Sequence, residues 1–102
     1  MKVFSSGDWH VKRGEEDAFV AAWREDDEWT RRVFSTEAAG SLFRDRTDPN
    51  HFITLRPLPS EAVLIAWREN AGFSERMSRL RTHAETVTPR TLELVAGGDG
   101  TA

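Results

Sequence analysis

Three histidines, His10, His51 and His83, are the side chains of this sequence that ordinarily exchange a proton near neutral pH. Asp8 precedes His10 by two residues, so on an extended strand the two share a face and can pair. His51 follows Asp48-Pro49-Asn50 and either points at the mouth of a pocket or bonds locally to Asp48 or Asn50. His83 falls near an expected helix C-terminus, where a cation is favourable. Arg44, Arg46 and Arg56 recur close together; a guanidinium there can hold a phenolate or enolate, or pair with Asp45, Glu61 or Glu93 across a sheet. A base beside an apolar wall can take a proton from a weak acid and leave an anion sheltered from water. His51 and Arg56 are the polar residues assigned to that work. Asp8, His10, Asp48 and His51 also offer mixed oxygen and nitrogen ligands, but nothing in the sequence fixes them within reach of one ion, so no metal and no other cofactor is expected.

The composition narrows the chemistry. The chain has 102 residues and neither cysteine nor tyrosine, which excludes disulfides, thiolate metal sites, a cysteine nucleophile and any catalytic phenol. Four tryptophans and six phenylalanines are more rings than a core this small needs. Their surplus points to a ring-lined pocket for a flat aromatic ligand, or to a tryptophan-rich core and interface. Fourteen basic residues face seventeen acidic ones and are interspersed with them; nucleic-acid binding, which draws much of its affinity from a basic surface, is not expected. No apolar run is long enough to span a membrane or to form a signal-peptide core, so a cytoplasmic location is expected.

The elements that position these residues follow from periodicity. Residues 2–11 alternate as a strand, with Val3, Ser5, Gly7, Trp9 and Val11 on one face and Phe4, Ser6, Asp8 and His10 on the other. After the turn Lys12-Arg13-Gly14, a helix is predicted over 15–32. Its inner stripe is Phe19, Ala22, Trp23, Thr30 and Val33, and Glu25-Asp26-Asp27-Glu28 is its solvated face. Strands at 41–47 and 51–57 form a hairpin. Ser60 caps a helix over 61–70, Ala71-Gly72 breaks it, and a further helix over 74–85 presents Phe73, Met77, Leu80 and Ala84. A last strand covers 87–96. The expected domain is residues 1–96, with a flexible tail at 97–102. The order strand, helix, strand, strand, helix pair, strand predicts an α+β ferredoxin-like sandwich: a four-stranded antiparallel sheet with helices on one face. The other face, bearing Phe4, Ile53 and Leu55, calls for a partner, most simply an identical subunit.

Taken in order, Gly7-Asp8-Trp9-His10-Val11-Lys12-Arg13-Gly14, Phe19-Val20-Ala21-Ala22-Trp23, Ser41-Leu42-Phe43-Arg44-Asp45, Asp48-Pro49-Asn50-His51-Phe52, Ser60-Glu61-Ala62, Trp67-Arg68 and Phe73-Ser74-Glu75-Arg76 resemble the antibiotic biosynthesis monooxygenase superfamily of dimeric α/β barrels. The likeness spans roughly residues 3–96, and its specificity lies in the order and spacing of loose motifs. It implies a homodimer whose sheets pack face to face, with an apolar pocket between sheet and helices in each subunit. It also implies one of two chemistries: cofactor-free oxygenation of phenolic or anthrone-type polyketides, or oxidative opening of haem. The asparagine, tryptophan and histidine of the haem-degrading branch align with Gly7, Leu58 and Met77, so that chemistry is not expected. Leu58 also stands where the quinone-forming branch has a tryptophan, and the tyrosine that branch uses is missing. The pocket residues expected from the resemblance are Trp9, Phe43, Phe52, Leu58, Trp67, Phe73 and Met77. The expected ligand is a hydrophobic aromatic or polyketide-like molecule. A non-catalytic binding or accessory protein, and an isomerase or cyclase on the same fold, remain open alternatives.

Overall fold

The computed structural model describes residues 2–98; Met1 and residues 99–102, the last four of the expected tail, lie outside them. Strand β1 (Val3–Val11) leads through Gly14, whose φ of +88° only glycine adopts readily, into helix α1 (Glu16–Val33). A short 3-10 turn (Thr36–Ala38) precedes the hairpin of β2 (Ser41–Arg44) and β3 (His51–Leu58). Helices α2 (Glu61–Glu69) and α3 (Ala71–Thr82) follow, and β4 (Ala84–Glu93) closes the sheet. The strand order is β2-β3-β1-β4, antiparallel throughout. This is the expected α+β ferredoxin-like sandwich with its helices on one face.

Several boundaries differ from the sequence reading, each for a local reason. Strand β2 stops at Arg44 rather than 47, because the Asp45 carboxylate accepts hydrogen bonds from both the backbone N–H and the hydroxyl of Thr47, at 2.8 Å each, and turns the chain. The break between the last two helices lies at Asn70 and not at Ala71-Gly72. Asn70 ends α2, and its side chain accepts the Gly72 N–H at 2.8 Å to cap α3. Helix α3 therefore ends at Thr82, and Ala84 belongs to β4 instead of the helix stripe. Val33, expected on the inner stripe of α1, is half exposed; Trp29 is buried in that part of the helix.

Register fixes the two sheet faces, since directly opposed residues project to the same side. Trp9 opposes Phe52 and Val87, and Val3 opposes Leu58, so these residues meet the helices. Asp8 opposes Ile53, Phe4 opposes Leu92, and Phe43 opposes Ile53, so these stand on the uncovered face. Beneath the helices the apolar side chains gather into two clusters. One is built from Trp9, Val11, Phe19, Phe52 and Leu80. The other is built from Trp29, Ala38, Leu58, Leu64 and Trp67.

Candidate functional site

Between sheet and helices lies a cavity of about 370 Å³ that takes walls from both clusters. Trp9, Trp23 and Trp67 supply three indoles, with Phe73, Met77, Leu80 and Val87 completing the apolar lining. Trp9 lies across the sheet because Gly7 has no side chain: a Cβ there would sit 2.8 Å from the indole nitrogen, which instead donates to the Thr54 hydroxyl at 3.3 Å. Trp67 donates its N–H to the Thr30 hydroxyl at 3.2 Å and meets Phe73 edge-on at 4.6 Å. These bonds hold the Trp9 and Trp67 indoles with their polar edges satisfied and leave ring surface for a ligand.

Two charged groups reach this apolar space. Arg56, on the helix-facing side of β3, is only 4% exposed. Its Nη1 donates to Asp27 Oδ1 and to the Ala38 carbonyl, both at 2.7 Å, and its guanidinium lies over the rings of Trp23 and Trp67. Asp26 is 1% exposed and lines the cavity. Its Oδ2 accepts a longer bond, 3.3 Å, from Arg56 Nη2, while its Oδ1 has no hydrogen-bond partner among the described residues. Loss of water raises the Asp26 pKa above the ordinary carboxylate value, and the positive fields of Arg56 and Arg76 oppose that rise.

The residues expected to form the site divide between this cavity and elsewhere. Trp9, Trp67, Phe73 and Met77 line it, and Arg56 is at its wall. Leu58 is fully buried in the second cluster, and Phe52 in the first; neither lines the cavity. Phe52 and Phe43 border a separate, open recess beside β2. The Phe43 side chain, paired across from Ile53, is 53% exposed on the uncovered face. His51 is on that face too, not at a pocket mouth; its backbone N–H donates to the Asp48 carbonyl at 3.0 Å, but its ring bonds neither Asp48 nor Asn50. Its Nε2 is 2.8 Å from Asp8 Oδ1 and its Nδ1 3.3 Å from Asp45 Oδ2, and its ring stacks on His10. Asp8 thus pairs with His51 and with Arg90 rather than with His10. The bond to Asp8 raises the His51 pKa. Hydrogen bonds from Thr47 bring Asp45 down to about 2. Among the described residues no group of three or more histidine and carboxylate side chains is placed to hold a metal ion, and no helix is long and apolar enough to cross a membrane.

Asp26 and Trp23 belong to the site without having been assigned to it. The signal for Asp26 was helical spacing: it stands seven residues after Phe19, four after Ala22 and four before Thr30, all on the inner stripe.

No family model matches the sequence, and no curated protein does. Solved structures match it over most of this chain. The cofactor-independent oxygenase SnoaB from Streptomyces nogalater aligns with a TM-score of 0.84 at 14% identity, over 94% of this chain and 95% of its own. The fold is that of the antibiotic biosynthesis monooxygenases. A protein described as an antibiotic biosynthesis monooxygenase aligns at 0.74 and 23% identity, over 92% of this chain and 99% of its own. A conserved protein from Methanosarcina mazei Go1 shares the monooxygenase fold as well, at 0.79 and 13%, over 89% of this chain and 90% of its own.

Proposed function

We propose that this chain binds a hydrophobic, polycyclic aromatic or polyketide-like molecule between its sheet and helices and oxygenates it without metal, flavin or haem. The observation that carries the reading is the cavity itself: three indoles, an aromatic ring and aliphatic side chains enclosing two buried, oppositely charged groups. Ligand sites are mostly apolar with a few convergent polar groups. An anthrone illustrates the chemistry. Loss of a methylene proton gives an anion that passes one electron to dioxygen; radical and superoxide join in a C–O bond, and the protonated hydroperoxide loses water to leave a carbonyl. The net change converts CH2 and O2 to C=O and H2O, so dioxygen is the only oxidant required. The fold likeness to a cofactor-independent oxygenase supports this chemistry over isomerisation.

Three of the four tryptophans line the cavity, so titration with anthrone should quench intrinsic fluorescence saturably, and anthraquinone should appear with one O2 consumed per molecule. Saturable quenching without oxygen uptake would replace catalysis by a binding or accessory role. No quenching by anthrone or 2-naphthol would remove the ligand reading altogether.

We also propose that a second copy of the chain covers the open sheet face. Leu92 and Phe43 are exposed there, and Phe4, Ile53 and Leu55 are only partly buried, a contiguous apolar surface of the kind that isologous dimers bury. Sedimentation at micromolar concentration should give twice the 11.6 kDa chain mass; a single 11.6 kDa species would overturn the dimer.

A further inference from the structure

We propose that Asp26 is the catalytic base of the cavity, its Oδ1 taking the acidic proton of a bound hydroxyaromatic ligand or of its keto tautomer. The inference rests on the small-molecule reading above and deepens it by naming the group that makes the anion.

Four observations converge on Asp26. It lines the cavity from α1, between Trp23 and Thr30 on the inner stripe. Its carboxylate is nearly inaccessible to water, and Oδ1 lacks any hydrogen-bond partner among the described residues. A buried polar atom left unbonded is costly and rare unless a ligand or a reaction uses it. Arg56 does not neutralise Asp26 tightly, because its short bonds go to Asp27 and the Ala38 carbonyl, and the 3.3 Å contact with Oδ2 leaves Oδ1 free. The charged groups facing Asp26 are Arg56 from β3 and Arg76 from α3, with Asp27 beside it on α1. Two cations against one further anion favour its ionised form, while desolvation makes it a stronger base than an ordinary surface carboxylate. His51, by contrast, is on the other side of the sheet.

The proton balance closes on this one residue. Oδ1 accepts the first methylene proton as the C–H bond breaks and its electron pair stays on the ring system. The resulting carboxylic acid returns that proton to the peroxide anion formed with dioxygen. Asp26 then takes the second proton from the same carbon while the O–O bond cleaves; hydroxide leaves, meets that proton and departs as water. Asp26 ends as it began, a carboxylate.

The test is Asp26→Asn, which keeps the shape of the side chain and can still accept from Arg56. With anthrone as substrate, kcat is expected to fall by about 100-fold or more, while the anthrone Kd from tryptophan quenching changes by less than about threefold and confirms a folded cavity. In the wild type, kcat should rise with pH through one ionisation, and its position should stay put when anthrone is replaced by the more acidic 1,8-dihydroxyanthrone. The variant should lose that limb. Retention of wild-type kcat and pH profile by the variant would overturn the assignment; so would a wild-type limb that moves with substrate acidity, which decides the matter if the variant does not fold. If the wild type quenches with ligand but consumes no oxygen, the oxygenation reading fails and Asp26 is read by affinity instead. Binding of 2-naphthol should strengthen with rising pH as Asp26 ionises, above the ordinary carboxylate range, and should be flat in the variant. A flat wild-type affinity would overturn Asp26 as proton acceptor.

Discussion

Replacing Arg56 with alanine is expected to destabilise the fold by about 3–5 kcal/mol, the usual cost of removing one partner from a buried charged network. The guanidinium holds Asp27 Oδ1 and the Ala38 carbonyl at 2.7 Å and Asp26 Oδ2 at 3.3 Å. It also fills the space under Trp23 and Trp67. Without it a carbonyl loses its donor, Asp27 keeps only Arg31 and the Gly40 N–H, and Asp26 loses its nearest cation. The deficit should depend on pH with a definite sign. Arg56 lowers the Asp26 pKa against desolvation, so its removal raises that pKa further in the folded state. A group whose folded pKa lies above its unfolded value favours folding below the unfolded value and loses that contribution as pH rises through the folded one. Arg56→Ala should therefore lose least in mild acid and most at alkaline pH. Urea unfolding at several pH values reads this directly. The double variant Arg56→Met with Asp26→Leu should recover part of the loss, because an apolar pair of similar volume replaces the charges. A deficit below about 1 kcal/mol that does not vary with pH would show the network to be no more consequential than a surface ion pair.

Trp67→Ala is expected to cost about 3–5 kcal/mol as well, by a different route. The indole is 3% exposed, meets Phe73 edge-on and bonds Thr30, whose hydroxyl is itself fully buried. Truncation removes that contact area and joins the new void to the existing cavity. Because the neighbouring space is already open, the walls have little to collapse onto, which favours the upper part of the range. A domain of this size has about 5–15 kcal/mol in all, so the variant should unfold tens of degrees lower, at roughly 4–8 °C per kcal/mol. Trp67→Phe keeps a ring in place and forfeits chiefly the indole hydrogen bond, about 1 kcal/mol. Similar losses in the two variants would mean that the N–H···O bond, not ring packing, is the larger contribution.

What was legible in the sequence was alternation, and what was not was register. Residues 3–11 carry enough period-two pattern to assign both faces of β1, and all five residues assigned inward lie opposite helix-facing partners or in the core. The same counting applied to β3 puts His51 on the face of Ile53 and Leu55, two and four residues on; its proximity to a turn suggested a pocket mouth instead. Strand β2 has only four residues, too few to set its own parity, so the side taken by Phe43 depended on its pairing with Ile53. Leu58 has the inward parity of Phe52 but is buried in the second cluster with Leu64 and Trp67 and takes no part in the cavity lining. Asp26 was hidden by its neighbours. A run of four acidic residues reads as a solvated face, and only the helical period separates from it Asp26, which is fully buried, and its neighbour Asp27, which reaches the same buried Arg56. Burial of the Asp26 carboxylate depends on Arg56, thirty residues on in the chain, and no local pattern announces such a partner.

The two outer strands decide how this molecule can join others. β2 is short, and β4 carries Pro89, which has no N–H to offer a further strand, flanked by Arg90, Thr91 and Glu93 in exposed positions. Short, charged or proline-bearing margins resist edge-to-edge addition. Growth of the sheet into a continuous ribbon, the route to fibrils, is thereby discouraged at both sides, while the broad apolar face stays available. Edge-on addition is thus the less favoured way for two copies to meet, and stacking on the apolar face, where Phe43 and Leu92 are exposed, is the more favoured one.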